Sequence, residues 1–263
     1  MTARPIRYQR QVSDRKGKIF YTSITSLSHI SICRRVFNTV KLYAKQRRLV
    51  SLMMAHINER EKNNHMMIDI QSHIVEFRNG ESGKHVLHMD KVIQLLLDKI
   101  VQKTDKYPSL WQERILIRTA SALHDIGKIG IDEAILNKPG RLTAEEFESM
   151  KAHTTIGADM LRNLPRYQEE RILQIAIEIC RWHHERYDGK GYPDGLVGDE
   201  IPISAQLVSI ADVYDALTSE RVYKKAFSHE KAMQMIREGE CGAFNPLLLS
   251  CLEEIADELQ AEM

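Results

Sequence analysis

Histidine and aspartate side chains occur in segments of this sequence that are otherwise apolar. His124 and Asp125 follow the apolar run that ends at Leu123, and His183 and His184 end another such run. Six other histidines stand among polar residues, where we expect a solvated surface position: His29, His56, His65, His73, His88 and His229. A polar or charged side chain inside an apolar helix is costly unless it is paired or bound to a metal. Several of them together therefore indicate a metal centre.

Four more residues extend this pattern. Glu81 and His85 are four apart, so both face one side of a helix whose first turn includes Glu81. His153 lies in a predicted helix, and Asp212 lies in the apolar stretch IADVY. Imidazole and carboxylate ligands without thiolate suit iron, manganese, cobalt, nickel or catalytic zinc. Up to eight ligands predict two ions or three, with Asp125 bridging two of them, and such a centre favours phosphoester hydrolysis.

Charge and composition narrow the class of protein further. Lys plus Arg (37) nearly balance Asp plus Glu (36), so no global field draws the chain to a nucleic-acid polymer or to anionic lipid. No stretch approaches the roughly 18 apolar residues of a membrane-spanning helix. The four cysteines are scattered without a CxxC pair, which predicts free thiols in a reducing cytoplasm. We therefore expect a cytoplasmic protein with neither DNA, RNA nor a membrane as its partner.

The elements that must position the candidate ligands are predicted to be helices. Thr143, followed by acidic residues, predicts a helix start, and Asn245 followed by proline predicts another. Residues 132–142 predict a loop, as does the stretch 188–202, here called the glycine-rich loop, whose backbone can approach a ligand closely. Because strand alternation is missing, the fold class is all-α. Helical patterns cover about 34–77, 82–103, 110–123, 143–162, 168–186, 203–218, 228–238 and 246–261.

The N-terminal part of the chain has a different character. Residues 1–33 are basic and predicted to be irregular, apart from a candidate short strand at 16–21. Residues 34–78 follow an a/d-like apolar register that polar residues interrupt. Broken heptads are typical of a signalling helix or of a dimer seam, and the alternative is one amphipathic helix packed on its own domain. The sequence thus predicts a helical linker at 34–78, a candidate homodimer helix, before a domain at 79–263.

Three strings in the sequence resemble a known family. HDIGKIGI (124–131), HHERYDGKGYPDGL (183–196) and IADVYDALTSERVYK (210–224) are similar to the HD-GYP subfamily of the HD-domain metal-dependent phosphohydrolases. The resemblance covers roughly residues 80–250, with the motifs in the same order and spacing. It implies an HD-type helical bundle that acts as a cyclic-di-GMP phosphodiesterase. A metal-bridging hydroxide would open the substrate to pGpG, with GMP as a further product.

The resemblance also implies a role for each matching residue. The metal ligands would be His85, His124, Asp125, His153, His183, His184 and Asp212, with Glu81 as a ligand of a third ion. Lys128, beside Asp125, would stabilise charge at the scissile phosphate. The substrate would contact Gly191, Tyr192, Pro193, Arg221 and Lys224, and Asp215 would lie either there or behind a ligand. The implied ions are iron or manganese, with zinc, nickel and cobalt as alternatives.

Several alternatives stay open at this point. Another HD phosphohydrolase activity, on a nucleotide or alarmone, is disfavoured by the GYP string together with Arg221 and Lys224. A non-catalytic module that binds a cyclic dinucleotide is disfavoured because every ligand position is filled. A related 3′,3′-cyclic dinucleotide is also open as substrate. The string at 34–48 is similar to the junction between a receiver domain and an HD-GYP domain, so we expect an upstream signalling domain that is lost or lies outside a fragment.

Overall fold

A computed structural model describes residues 10–13, 19–22, 25–78, 84–220 and 225–262. The chain divides into two compact units, Met1–Asn63 and Asn64–Met263. Helix α1 (Thr25–Arg78) begins in the first unit and ends in the second. The regular secondary structure of the described residues consists of α-helices, short 3₁₀ turns and one two-stranded hairpin, so the predicted all-α class is confirmed.

The first unit contains the hairpin and most of α1. Strands β1 (Arg10–Ser13) and β2 (Ile19–Thr22) pair antiparallel, with Val12 opposite Phe20. The prediction of an irregular segment over 1–33 is therefore corrected for these residues, and α1 begins at Thr25 rather than near residue 34. Each strand supplies the hydrogen-bond partners that the other lacks, and β-branched and aromatic residues in β2 favour the extended form. The candidate strand at 16–21 overlaps β2, whereas β1 was not predicted.

The second unit holds the end of α1 and the remaining helices. Thr143 accepts a hydrogen bond from the Glu146 amide in a capping box, and Asn245 accepts one from the Leu247 amide, so both predicted helix starts are confirmed. The helices are α2 (His85–Lys103), α3 (Leu110–Ser121), α4 (Glu133–Leu136), α5 (Ala144–Lys151), α6 (His153–Arg162), α7 (Arg171–Trp182), α8 (Ile203–Thr218), α9 (His229–Arg237), α10 (Pro246–Glu254) and α11 (Ala256–Glu262).

Two of the predicted helices are each interrupted once. The helix expected over 143–162 breaks at Ala152, whose amide bonds to carbonyl oxygens two and three residues back. The helix expected over 246–261 breaks at Ile255. The predicted loop at 132–142 contains α4, because the Asp132 carboxylate accepts a hydrogen bond from the Ala134 amide and caps that turn. The break at Ala152 matters for function, since it makes His153 the first residue of α6.

The core of the second unit lies between α2, α3, α7 and α8. Apolar side chains on α2 recur every three or four residues, as in Met89, Ile93, Leu96 and Ile100, and all four are buried. Buried leucine and isoleucine side chains of α7 and α8 pack against them. None of the described helices is long and apolar enough to cross a membrane. The four cysteines are free, as predicted.

Candidate functional site

Six of the predicted metal ligands form two groups of three. The first ligand group is His85, His124 and Asp212, and the second ligand group is His153, His183 and His184. Within each group the candidate ligand atoms lie within 4.8 Å of one another. They come from the starts of α2 and α6, the residues just after α3 and α7, and the middle of α8. Three predicted site residues lie outside the described part of the chain: Glu81, Arg221 and Lys224.

Asp125 lies between the two ligand groups. Its Oδ2 is 3.2 Å from His124 Nε2 in the first group. Its Oδ1 is 3.3 Å from His153 Nε2 and 3.9 Å from His183 Nε2 in the second group. Each carboxylate oxygen therefore faces a different group, as a ligand shared by two cations would.

Main-chain carbonyl oxygens orient three of the imidazole rings. In His124, His153 and His183, the Nδ1 atom lies 2.9, 2.7 and 2.9 Å from a carbonyl oxygen of the preceding turn. Nδ1–H donates to that oxygen, so Nε2 is the ring atom that faces Asp125. Burial opposes a charge on His124, yet Asp125 raises the pKa of this ring to about 9. A metal ion bound at His124 would therefore displace the proton on Nε2. A ring held in this way binds a metal in a single orientation.

Two buried atoms at the centre have no hydrogen-bond partner in the described part of the chain. They are His124 Nε2 and Asp125 Oδ1. A buried polar atom left unsatisfied costs about 1–3 kcal/mol, and each of these atoms carries a lone pair that a cation could accept. The donor set of imidazole nitrogens and carboxylate oxygens thus fits a divalent metal ion.

Burial and charge set the protonation of these groups. Burial, together with neighbouring imidazoles, lowers the pKa of His183 to about 3 and also lowers the pKa of His153. Both rings are therefore neutral, the form that binds a metal. Burial opposes the charge on Asp125, yet Lys128 and His124 hold the pKa of that carboxyl well below its usual range. The Lys128 ammonium lies 2.7 Å from Asp125 Oδ2.

The glycine-rich loop is tied to the second ligand group. The Tyr192 ring stacks on His184 with centroids 4.8 Å apart, and Pro193 follows Tyr192 through a cis peptide bond. The buried Glu185 carboxylate accepts hydrogen bonds of 2.7, 3.0 and 3.1 Å from the amides of residues 194–196. A Cβ atom on Gly191 would lie 2.4 Å from the Glu185 Cα. Glycine is therefore required where the loop meets the chain beside the histidine pair.

The segment 124–131, here called the HD segment, is held between α1 and α6. A Cβ atom on Gly127 would lie 1.9 Å from the His153 carbonyl oxygen, so the two backbones are in contact. On the other side, the Arg78 guanidinium at the end of α1 donates to the carbonyl oxygens of Lys128, Ile129 and Ile131 over 3.0, 2.6 and 2.9 Å. The backbone that carries the central aspartate and Lys128 is thus fixed from both sides.

Comparison with known proteins agrees with this geometry. Residues 47–246 match the HD domain family. This chain belongs to the HD domain family. The resemblance that the three motifs predict is thereby confirmed at the level of the HD domain.

Among the relatives of this HD domain, a cyclic di-GMP phosphodiesterase of Vibrio cholerae serotype O1 is 41% identical over 192 residues, 72% of this chain and 39% of that protein. The 3′3′-cGAMP-specific phosphodiesterase 2 of the same organism is 35% identical over 225 residues, 82% of this chain and 41% of that protein. Bd1817, a HDG"Y"P protein from Bdellovibrio bacteriovorus, shares the fold at 18% identity and a TM-score of 0.50, over 75% of this chain and 64% of its own. This chain spans half or less of the length of such curated relatives.

The sequence left open whether Asp215 contacts the substrate or lies behind a metal ligand. Its carboxylate is buried, with Oδ2 2.6 Å from His85 Nδ1 and Oδ1 2.8 Å from His88 Nδ1. The Ser219 hydroxyl donates to Oδ1 over 2.7 Å. Asp215 therefore lies behind a candidate ligand. The expectation of a solvated His88 is corrected, because His88 pairs with a buried carboxylate. Only the one-turn spacing from Asp212 hinted at this arrangement.

Proposed function

We propose that this HD domain hydrolyses a 3′,3′-linked cyclic dinucleotide, with cyclic di-GMP as substrate and pGpG and then GMP as products. The observation that carries the proposal is Asp125, one oxygen towards each ligand group, with a buried and unsatisfied Oδ1. The substrate class follows from the relative named a cyclic di-GMP phosphodiesterase.

Two divalent ions fit the ligands that the chain offers. The first ligand group with Asp125 Oδ2 would hold one ion, and the second ligand group with Asp125 Oδ1 would hold the other. Nitrogen and oxygen donors suit iron or manganese, and zinc, nickel and cobalt accept the same donors. When bound, such a pair of ions lowers the pKa of water and neutralises charge on a phosphoryl oxygen. Glu81 would contribute to a third ion.

Side chains around the ligands supply the remaining functions. The Lys128 ammonium, fixed beside Asp125, would stabilise the negative charge that develops on the scissile phosphate. Tyr192, stacked on His184, offers an aromatic wall, and Gly191 and Pro193 would shape the pocket next to it. A guanidinium and an ammonium at Arg221 and Lys224 would hold the dinucleotide phosphates, since an Arg fork and a Lys point charge both suit phosphate.

A second substrate has a specific observation in its favour. The match to the 3′3′-cGAMP-specific phosphodiesterase 2 covers 82% of this chain, more than the match to the cyclic di-GMP enzyme. Cyclic GMP-AMP has the same two phosphodiester groups and differs in one base. The metal centre would act on either compound, so discrimination must come from contacts to the bases.

The test compares both dinucleotides directly. The purified protein is incubated with each compound and Mn²⁺, or Fe²⁺ without oxygen, and the products are separated by chromatography. We expect linear dinucleotide and mononucleotide, and their loss on adding a chelator. His124→Ala and Asp125→Ala should abolish turnover and lower the bound metal, whereas His56→Ala, at an exposed position on α1, should change neither. Full turnover by Asp125→Ala with wild-type metal content would refute the proposal, and dinucleotide binding without turnover would favour the non-catalytic module.

We also propose that the chain forms a homodimer through the linker at 34–78, which is part of helix α1. Between residues 32 and 57 its apolar side chains are exposed, among them Val36, Val40, Tyr43, Val50 and Met54. A helix with that much exposed apolar surface gains stability by packing on a partner. Light scattering after gel filtration should give twice the chain mass, and Val40→Glu with Met54→Glu should give the monomer. A monomeric wild type would contradict the dimer and leave the hydrolase untouched.

A further inference from the structure

A hydrogen-bond network of four side chains lies beside the first ligand group. Asp215 is its centre, because both of its oxygens accept hydrogen bonds. Oδ2 accepts from the His85 ring, and Oδ1 accepts from His88 and from the Ser219 hydroxyl. His85 Nε2, at the other end of the ring, lies 3.7 Å from Asp212 Oδ1. The network therefore ends on a candidate ligand nitrogen.

This support differs from that of the other ligating rings. The Nδ1 atoms of His124, His153 and His183 face main-chain carbonyl oxygens. His85 is the first residue of α2. Its Nδ1 faces a carboxylate instead. Of these four rings, only His85, in the first ligand group, has a charged partner at Nδ1. The rings of His153 and His183, in the second ligand group, have a neutral carbonyl oxygen there.

We infer that Asp215, held by His88 and Ser219, is a positioning residue that strengthens metal binding in the first ligand group alone. The inference rests on the two-ion centre proposed above. A carboxylate that accepts Nδ1–H fixes the tautomer and the orientation of the ring and makes Nε2 a better donor to the metal. His88 and Ser219 in turn fix the orientation of the Asp215 carboxylate through their hydrogen bonds to Oδ1. The first ligand group should therefore fill at a lower metal concentration than the second.

The experiment measures Mn²⁺ binding in variants that isolate each group. His184→Ala leaves the first ligand group intact, and His124→Ala leaves the second. Asp215→Asn is introduced into each background, and free Mn²⁺ is titrated by electron paramagnetic resonance. In the His184→Ala background, Asp215→Asn should weaken binding by about 10–100-fold, the effect typical of losing such a partner. In the His124→Ala background it should change nothing.

Two further variants separate positioning from folding. Tyr214→Phe is the matched control, because Tyr214 precedes Asp215 on α8, is buried and shares a 2.8 Å hydrogen bond with His229 rather than with a ligand. It should keep wild-type Mn²⁺ affinity. Ser219→Ala removes one donor to Oδ1 and should weaken the first ligand group less than Asp215→Asn does. It also decides the question if Asp215→Asn does not fold, which circular dichroism of the metal-free protein would reveal.

The outcomes distinguish this inference from the proposed function. A wild-type protein that binds no Mn²⁺ would overturn the metal centre and the inference with it. A wild-type protein that binds two ions while Asp215→Asn and Ser219→Ala keep both affinities would overturn the inference alone. Equal weakening of both ligand groups would also overturn it, because a general loss of structure predicts that result.

Discussion

Replacing Gly127 by alanine tests how closely the HD segment is packed on α6. The new Cβ would lie 1.9 Å from the His153 carbonyl oxygen and 2.5 Å from the Gly157 amide nitrogen. Both contacts are with backbone, so no side-chain rotation relieves them. Since Cβ atoms approach no closer than 3.0 Å, the HD segment and α6 must separate by about 1.1 Å, the difference between 3.0 and 1.9 Å.

The separation acts on stability and on the site together. Overpacking of this kind costs about 1–3 kcal/mol. For a chain of this size each kcal/mol lowers Tm by about 2–4 °C, so we expect a fall of about 2–12 °C. The HD segment carries His124 and Asp125, and α6 begins at His153, so the separation pulls His153 away from the shared carboxylate. A displacement of about 1 Å can lower turnover by about 100-fold.

Thermal unfolding and Mn²⁺ binding measure the two effects. Gly130→Ala is the matched control in the same segment, because the atoms nearest to its Cβ belong to the Ile156 side chain and not to the backbone. Gly157→Ala should be intermediate, with its Cβ 3.1 Å from the Gly127 amide nitrogen. If Gly127→Ala unfolds at the wild-type temperature and binds as many ions, the packing argument is wrong.

Three further predictions concern side chains that hold the site from outside. Glu185→Gln weakens three hydrogen bonds to a charged acceptor, each worth about 1.5–3 kcal/mol. Hydrogen exchange of the amides of residues 194–196 should therefore accelerate, while Mn²⁺ still binds. Unchanged exchange would show that the Glu185 carboxylate does not hold these amides. Arg78→Ala should accelerate exchange in the HD segment and lower Tm, and Arg78→Lys should restore little, since an ammonium lacks the planar fork; full restoration by lysine would count against the geometry. Arg181 lowers the pKa of Asp194 in the folded protein. The ion pair therefore stabilises the fold above the pKa of about 3.9 that an aspartate has in the unfolded chain, and this stabilisation is lost as the pH falls through the lower pKa of the folded state. The Tm difference between wild type and Asp194→Asn should shrink below about pH 4, and a constant difference would show that the ion pair is not its source.

Most of the candidate ligands stand out in the sequence because each is a chemical exception in its own segment. His124 and Asp125 after an apolar run, and Asp212 within one, are visible without knowing what they contact. The helix starts at Thr143 and Asn245 were predictable for the same reason, since a cap acts on amides two or three residues away. Local chemistry therefore identified both the candidate ligands and most of the helices.

Contacts between distant residues could not be predicted in this way. Asp215 and His85 are 130 residues apart, and only the packing of α2 on α8 brings them together. His88 and His229 stand among polar residues, yet one pairs with Asp215 and the other with Tyr214. Burial of a polar side chain depends on what packs over it. The sequence around each histidine therefore does not predict whether its side chain is buried or paired.

The position of Arg78 gives α1 a mechanical role. The helix is continuous from Thr25 to Arg78, and its last side chain is hydrogen-bonded to the backbone that carries Lys128. Nearly two turns earlier along the same helix, Ser72 donates to the Ala122 carbonyl oxygen over 2.5 Å, just before the HD segment. A rotation or a small sliding of α1 about its own axis would therefore pull on the HD segment at both ends. The end of α1 is therefore a strap along the HD segment, and its displacement would change where Asp125 lies between the two ligand groups.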